Sequence, residues 1–402
     1  MKRLISSVSH AVTNGAKAVF DRRSLALAGA AAMLAGCQII PKTETVSTAP
    51  VPEKTPEPTP TALPTDSTRH RVALLVPMSG NTAAVGQALA NATTMALLDM
   101  DAQNLRITTY DTGRGAAEAA RQAIVDGNKL IIGPLLASNV PAVQAQARPA
   151  SVPAIAFSND TQVASPDVFL MGHVPEQSVR RSVEYARARG SNSFAALVPE
   201  GDYGSRAYAA LETALGAYGG NLIARESYAR GNTSIVSAAQ RLRTKGGYDT
   251  VLIADGARLA TRAAGELKRD GAQGTRIVGT ELWSGEGALT RSSAVNGAIF
   301  SAVSDQRFKQ FSDSYEARFG TKPYRIATLG YDAVLLTLRI SRDWQVGSDF
   351  PVNELYNRGG FLGLDGPFRF GRDGVAERAL EVRQVNGGTV NAVDAAPASF
   401  AE

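Results

Sequence analysis

From Arg69 onward, short apolar runs alternate with segments whose apolar residues repeat at helical spacing. The first unit shows the pattern. Val72–Val76 is a continuous apolar run, Pro77 ends it, and apolar residues recur at spacings of three and four from Val85. Such a run is typical of a strand buried on both faces of a parallel sheet, and the repeat after it predicts an amphipathic helix. Because open α/β sheets bind ligands at the carboxyl ends of their strands, Met78–Gly80 is a candidate ligand loop.

This unit recurs in two series along the chain. The first series of predicted strands is Val72–Val76, Leu105–Tyr110, Lys129–Ile132 and Val152–Phe157. The second series is Ser193–Val198, Leu222–Tyr228, Thr250–Ala254 and Arg276–Gly279. Further predicted strands are Ala298–Val303, Gly366–Phe370 and Ala379–Val385. Strands separated by helical segments predict right-handed βαβ units, and hence an α/β protein with two Rossmann-like lobes built on parallel sheets.

The net charge of +5 is concentrated at the N terminus. Within residues 1–36, five basic side chains stand against one acidic side chain, which accounts for four of the five net charges. The remainder of the chain is close to neutral, so its composition gives no support to nucleic-acid binding.

Residues 1–36 are typical of a cleaved signal peptide. Basic residues precede the apolar core Leu25–Leu34, which is too short for a permanent membrane span. The core leads into Leu34-Ala35-Gly36-Cys37, which resembles a bacterial lipobox, and the chain holds no other cysteine. We therefore predict lipidation of Cys37. An ordinary secretory signal is the alternative, and Arg22-Arg23 permits a twin-arginine signal or a plain basic flank.

The segment from Cys37 to residue 68 is predicted to be a tether. Seven of the chain's 19 prolines lie in it, among Thr, Glu and Ser residues. It has too few apolar residues to fold, and proline-rich chain is semi-rigid. Two interpretations of this segment remain. It could be a tether that lifts a folded domain off a membrane, or a spacer without a required length. Gln38, in place of the Asp associated with inner-membrane retention, favours the outer membrane.

The order and spacing of several motifs resemble the type I periplasmic binding proteins of the branched-chain amino-acid receptor group. The motifs are Ser79-Gly80 with Gly86, Ile131–Pro134 with Ser138, Asp202–Ser205, Phe311–Pro323, Ala327–Ala333 and Gly366–Gly374. The resemblance covers roughly residues 70 to 390. It implies two lobes with a cleft between them, joined by three crossings.

The resemblance also implies a division of the chain. The first lobe is expected from residues 69–173 with 304–362, and the second from 174–303 with 363–393, leaving 394–402 as a tail. The crossings are expected near Met171–Val174, Gly297–Val303 and Gly363–Pro367.

Within this group, a lipobox followed by a proline-rich tether is most similar to the lipoprotein activators of penicillin-binding proteins. The resemblance implies a lipid-anchored protein on the periplasmic face of a membrane, with a peptidoglycan synthase as its partner. A solute receptor for an ABC importer or a sensor, with a small amino compound as ligand, is the alternative.

Amino-acid receptors of this fold hold the ligand carboxylate with hydroxyls and N–H groups of the first lobe, and its ammonium with an acid and aromatic groups of the second. The resemblance gives the candidates Ser79, Ser138, Ser158, Asp160, Tyr203, Glu281 and Trp283. Asp160 stands where a hydroxyl is usual, which would repel a carboxylate. Four of these candidates have a structural alternative. Asp160 fits a helix N-cap or turn, Tyr203 packing at a helix start, Trp283 packing at the cleft edge, and Glu281 a salt-bridged loop carboxylate.

The sequence gives little support to catalysis. His70 and His173 are far apart and lack cysteine partners, so we expect no metal site. The serine-hydrolase elbow, the phosphate-binding loop and the dinucleotide fingerprint are not found, so no cofactor is expected. We predict a protein that works by binding, with no catalytic residues.

Overall fold

The computed structural model describes residues 66–231, 234–269 and 274–400. The predicted signal peptide, Cys37 and the tether up to residue 65 lie outside the described residues. Within the described part, the chain forms two α/β lobes, each built on its own sheet. None of the helices described has both the length and the apolar character that a membrane span requires.

The first lobe is built on a five-stranded parallel sheet of order β2-β1-β3-β4-β5. Its strands are β1 His70–Val76, β2 Leu105–Asp111, β3 Leu130–Ile132, β4 Ala154–Ala156 and β5 Val168–Leu170. Its helices are α1 Ala83–Asp99, α2 Ala116–Val125 and α3 Val140–Ala147, joined later in the chain by α8 Phe308–Phe319 and α9 Thr328–Ile340.

The central strand β1 is buried on both faces, as its sequence predicts. Val72, Leu74 and Val76 point into a core that includes α9, whereas Ala73 and Leu75 point into a core formed with α2 and α3. Alternating side chains of a strand face opposite sides of the sheet, so a continuous apolar run fills both layers.

The second lobe is built on a seven-stranded sheet of order β15-β14-β10-β9-β8-β6-β7. Its strands are β6 Ser193–Pro199, β7 Asn221–Tyr228, β8 Thr250–Ile253, β9 Arg276–Val278, β10 Ile299–Ala302, β14 Glu381–Asn386 and β15 Thr389–Asp394. Its helices are α4 Pro175–Ala188, α5 Asp202–Tyr218, α6 Ser234–Lys245 and α7 Ala257–Leu267. Strands β14 and β15 run antiparallel to their neighbours, and the others are parallel.

The same strand-to-helix junction starts both lobes. Pro77 follows β1, and Gly86 in α1 lies so near that an added Cβ would come within 1.8 Å of the Pro77 carbonyl oxygen. Pro199 ends β6, and a Cβ added to Gly204 in α5 would likewise come within 1.8 Å of the Pro199 carbonyl oxygen. Only glycine permits this approach, so the junction fixes where each helix begins over its sheet.

A third, antiparallel sheet of order β11-β12-β13 belongs with the first lobe. Its strands are β11 Phe361–Gly363, β12 Gly366–Phe370 and β13 Ala376–Arg378. Phe361, Phe368 and Phe370 pack in the same core as β1 and α9. Residues 363–393 are predicted for the second lobe, but in the structure only β14 and β15 of this range join the second sheet.

The crossings follow from these positions. The first lies at Met171–Val174, between β5 and α4. The second lies at residues 303–307, later than Gly297–Val303, because β10 is still hydrogen-bonded inside the second sheet. The third lies at Ala379-Leu380 and not at Gly363–Pro367, because the aromatic side chains of β12 hold that strand in the first-lobe core.

Candidate functional site

The loops after the parallel strands of both lobes face a common cleft of about 450 Å³. The first lobe contributes an apolar wall, formed mainly by Leu135, Leu136, Phe157, Tyr324 and Ile326. The second lobe contributes a more polar wall that includes Glu281, Ser284 and Glu286. The volume falls in the range of about 300–1,000 Å³ that is usual for small-molecule sites.

Glu281 and Tyr203 come together on the second-lobe wall. The Tyr203 hydroxyl donates to Glu281 Oε1 at 2.8 Å and lies 2.8 Å from Thr280 Oγ1. Glu281 Oε2 is out of contact with solvent and has no hydrogen-bond partner in the structure. A buried carboxylate oxygen without a partner is costly, so among the described cleft residues Glu281 has the strongest need for a further hydrogen-bond donor.

Burial raises the pKa of Glu281 to about 7. The hydrogen bond from Tyr203 acts in the opposite direction, the nearby Glu176 carboxylate adds to the rise, and Arg206 reduces it. Burial and the neighbouring Glu281 also raise the pKa of Tyr203 well above its ordinary value. The pair therefore holds its proton on Tyr203, and Glu281 changes charge near neutral pH.

Arg206 joins the two lobes at one end of this cluster. It lies in α5, and its guanidinium donates to both carboxylate oxygens of Glu176 at 2.7 and 2.9 Å. Its Nη2 also donates to the backbone carbonyl of Asn159, which belongs to the first lobe. Its Nη1 lies 3.6 Å from Asp160 Oδ1. We call this set of contacts the Arg206 bridge.

Asp160 takes the structural role that its sequence context allows. It caps the short 3₁₀ helix Thr161–Val163, since its carboxylate accepts the Gln162 N–H at 3.1 Å. The nearby Arg206 guanidinium offsets its charge. The N-cap alternative is therefore correct, and the repulsion expected of Asp160 is partly neutralised by a residue of the other lobe.

The three first-lobe serines predicted as ligand donors lie away from the described lining of the cleft. Ser158 is buried, and its Oγ accepts the Asp160 N–H at 3.0 Å. Ser79 hydrogen-bonds the Asp111 carboxylate, and with the N–H groups of Met78 and Gly113 it lowers the pKa of Asp111 against the effect of burial. Ser138 is exposed in the short helix Ala137–Asn139. None of the three lines the cleft cavity of the described residues.

Trp283 belongs to the core of the second lobe and not to the cleft edge. Its side chain is fully buried, packs on Phe300, and donates from Nε1 to the Asp255 carbonyl at 2.9 Å. The ring lies against Gly279, where an added Cβ would approach it to 2.3 Å. Its position in the sequence beside Glu281 suggested the cleft, but the short helix Glu281–Trp283 turns the two side chains to different sides.

Ionisable side chains from the first two crossings and from neighbouring segments converge beside the cleft. We call His173, Asp305, Arg325, Asp365 and Arg383 the hinge network. Arg325 donates to Asp365 at 2.7 Å and to Asp305 at 3.1 Å, and Arg383 also contacts Asp305. His173 Nε2 lies 2.9 Å from Asp365 Oδ2. Burial lowers the pKa of His173, although Asp365 acts to raise it.

Sequence reasoning missed the hinge network and the Arg206 bridge. The members of the network are separated by up to about 200 positions, and nothing local marks them as partners. A signal for Arg206 did exist. It follows Tyr203 by three positions, so the two side chains share one face of α5. Among the described residues, no group of three His, Cys, Asp or Glu side chains is arranged to hold a metal ion.

A family model described as "Periplasmic binding protein" matches residues 70–389. The chain belongs to the type I periplasmic binding protein family. This family member has the fold of the leucine-binding protein LivK of Thermotoga maritima, with a TM-score of 0.63 and 19% identity over 81% of this chain and 98% of that one.

Two curated relatives match a shorter part of this periplasmic binding protein. The uncharacterized protein RP748 of Rickettsia prowazekii is 27% identical over 134 residues, which is 33% of this chain and 36% of the relative. The penicillin-binding protein activator LpoA of Pantoea ananatis is 28% identical over 129 residues, which is 32% of this chain and 19% of the relative. The match thus spans about a third of one relative and a fifth of the other.

Proposed function

We propose that this chain is a non-catalytic periplasmic lipoprotein that regulates peptidoglycan synthesis by binding a penicillin-binding protein. The observation that carries the proposal is the first-lobe side of the cleft. Ser79 and Ser158 are engaged within their own loops, and the Arg206 bridge occupies the space beside them. Neither these two hydroxyls nor that of Ser138 lines the cleft, so the serine donors expected for an amino-acid carboxylate are not part of its described wall, which favours work by surface contact.

Two further observations support the proposal. One is the partial similarity to the activator LpoA of Pantoea ananatis. The other is the predicted lipobox and proline-rich tether, a combination that suits a protein held at a membrane while reaching a partner.

Crosslinking in periplasm followed by purification of this chain tests the partnership. We expect penicillin-binding proteins among the crosslinked products, and a higher transpeptidase or glycosyltransferase rate when the purified partner is mixed with this chain. If repeated purifications of the crosslinked chain recover no penicillin-binding protein, the proposal is wrong. An unrelated periplasmic solute receptor, tagged in the same way, controls for abundance.

The anchor is a separate part of the proposal. We expect Cys37→Ser to abolish incorporation of labelled fatty acid and to release the chain from membranes into the soluble fraction. Membrane separation on a density gradient distinguishes the outer membrane, which Gln38 favours, from the inner membrane. Equal labelling of wild type and variant would refute lipidation at Cys37.

A second candidate function is reception of a small amine. The unpartnered Glu281 Oε2 and the apolar first-lobe wall together suit a cationic group attached to an apolar body. The first-lobe serines expected to hold the carboxylate of an amino acid are not part of the described cleft wall, but an amine that has no carboxylate does not need them. Under this candidate the chain serves as a solute-binding protein for an importer or a sensor.

Thermal unfolding with a panel of amines and matching amino acids separates the two candidates. A receptor should be stabilised by several degrees by an amine, less by its amino-acid counterpart, and not at all after Glu281→Gln. Glu286→Gln, a change of another wall carboxylate, should keep the response. If no compound in the panel changes the melting temperature, the receptor function is excluded and the regulatory function is retained.

A further inference from the structure

The first lobe has a second concave surface that shares no lining residue with the cleft. It encloses about 680 Å³ between the short helix Val352–Tyr356, the loop after it, and the hairpin of β12 and β13. We call it the lateral groove. Its size also lies within the range of about 300–1,000 Å³ usual for ligand sites.

The lateral groove is basic. Arg358, Arg369 and Arg372 line it, against the single carboxylate of Glu377. Arg358 and Arg372 are exposed, and neither makes an ion pair within the described residues. Since the chain beyond residue 36 is nearly neutral overall, three arginines on one concave surface are a local excess of positive charge.

The third arginine is held in place by its neighbours. Arg369 donates to Glu377 at 2.8 Å, and the two residues are direct cross-strand partners on β12 and β13. The Arg369 guanidinium also lies over the Phe400 ring, 4.5 Å from its centre. Nearby Asp373 is turned into its own loop, where its carboxylate accepts the Val375 N–H at 3.1 Å. One arginine is thus fixed, and two remain free to bind.

The rest of the lining is not that of a plain anion site. Tyr356 is half-buried against Phe169 and lines the groove, and Asn353 and Asn357 add amide groups beside it. Asn357 Oδ1 accepts the Gly359 N–H at 3.0 Å, so its Nδ2 remains as a donor. An aromatic ring with amides suits a sugar, whereas guanidinium forks suit carboxylates.

We propose that the lateral groove binds an acidic saccharide, with its sugar on Tyr356 and the asparagines and its carboxylates on Arg358 and Arg372. Arg369 acts as a positioning residue that maintains the basic wall. The source of the saccharide rests on the proposed function. At the site of peptidoglycan synthesis, the glycan strands carry peptides that end in carboxylates.

Titration with a soluble disaccharide–peptide fragment of the wall tests the proposal by calorimetry. We expect saturable binding that weakens about tenfold or more in the double variant Arg358→Glu and Arg372→Glu, because two charge-assisted contacts become repulsive. Amidation of the fragment's carboxylates should weaken binding to a similar degree. Equal affinity of wild type and double variant would overturn the proposal.

A matched control is available on the second lobe. Arg258 and Arg262 are exposed on α7 and form no ion pair in the described part of the chain. Changing both to Glu alters the net charge equally and should leave the fragment's affinity intact. If inorganic phosphate or a sugar-free acidic peptide bound as tightly as the fragment, the groove would be a simple anion patch and the saccharide assignment would fail.

The groove and the proposed function can fail separately. Crosslinking to a penicillin-binding protein, repeated with the Arg358 and Arg372 double variant, reports on the partner alone. If the fragment binds but no synthase is recovered, the saccharide site is supported and the regulatory function is wrong. If a synthase is recovered but the fragment does not bind, the regulatory function is supported and the saccharide site is wrong.

Discussion

At the scale of single residues, Glu281 is the cleft side chain whose charge is most affected by its surroundings. One oxygen accepts from Tyr203, and the other is buried without a partner. The energetic consequence concerns protonation, because burial disfavours the charged form of a carboxyl group. The pKa of about 7 therefore makes the stability of the second-lobe wall depend on pH across the neutral range.

We predict that Glu281→Gln removes a defined part of the pH dependence of unfolding. The unfolded chain loses its Glu281 proton near pH 4.5 and the folded chain near pH 7, so the folded state is favoured by protonation. As pH rises from 4.5 to 7, the wild type should lose up to about 3 kcal/mol of unfolding free energy relative to the glutamine variant. Urea titrations of both proteins between pH 4 and 8 measure the difference.

The glutamine side chain retains an oxygen that accepts from Tyr203, so the comparison changes charge and little else. Glu286→Gln, at an exposed position of the same wall, should leave the difference near zero at every pH. Parallel curves for wild type and Glu281→Gln would contradict the assigned burial effect.

Sequence alone gave part of this site. Tyr203 hydrogen-bonds the cleft residue Glu281 because each of them follows a buried strand of the second sheet, and the sequence pattern indicates that much. Trp283 could not be placed, because its direction depends on space above Gly279 and on a carbonyl of Asp255. The first-lobe hydroxyls were predicted as ligand donors, whereas local hydrogen bonds engage Ser79 and Ser158.

At the scale of elements, the junction between a strand and the next helix is the part that sequence describes least. The helix α5 begins at Asp202, only three residues after β6 ends, and approaches the carbonyl of Pro199 through Gly204. The contact sets the height of the helix over the sheet, and hence the positions of Tyr203 and Arg206.

We predict opposite effects for two glycine-to-alanine changes in this helix. At Gly204 an added methyl would meet the Pro199 carbonyl oxygen at 1.8 Å, so Gly204→Ala should destabilise by about 3 kcal/mol through forced displacement. At Gly216 the same methyl meets nothing within 4 Å, so Gly216→Ala should stabilise by about 0.5–1 kcal/mol. Denaturant unfolding of both variants measures the pair, and equal effects would show that the junction is not constrained.

The long elements were predictable, and the short strands only in part. Strand β1 carries five apolar residues in succession, and α1 carries a helical repeat, so both are marked in the sequence. The three-residue strands β3, β4 and β9 were predicted because each lies within an apolar run of a repeated strand–helix unit, whereas β5, β11 and β13, of the same length, lie outside those units. Strand β15 is a polar edge strand, stabilised by pairing with β14 more than by burial.

At the scale of the whole molecule, the lobes are linked by more than the three crossings. The Arg206 bridge connects α5 of the second lobe to the Asn159–Asp160 loop of the first. The hinge network connects the crossing segments to one another. Opening of the cleft must break the bridge, so its strength contributes to the balance between closed and open arrangements.

We predict that Arg206→Met opens the molecule. The methionine keeps much of the apolar stem but leaves Glu176 and Asp160 without their cation, which should cost about 2 kcal/mol, between the values for exposed and buried pairs. Small-angle scattering should show a larger radius of gyration, because the lobes lose a direct contact. Arg241→Met, which breaks the exposed pair with Glu226, should cost less than about 1 kcal/mol and leave the radius unchanged. An unchanged radius in both variants would refute the role of the bridge.

The strand order of the first lobe has a mechanical consequence. Strand β1 begins at His70, shortly after the predicted tether. It lies inside its sheet, hydrogen-bonded to β2 on one side and to β3 on the other. A pull transmitted along the strand loads both rows of hydrogen bonds in shear, so they must rupture together and not one at a time. A lobe whose N-terminal strand is central in its sheet therefore resists a force applied to the chain at His70 better than one that begins with an edge strand.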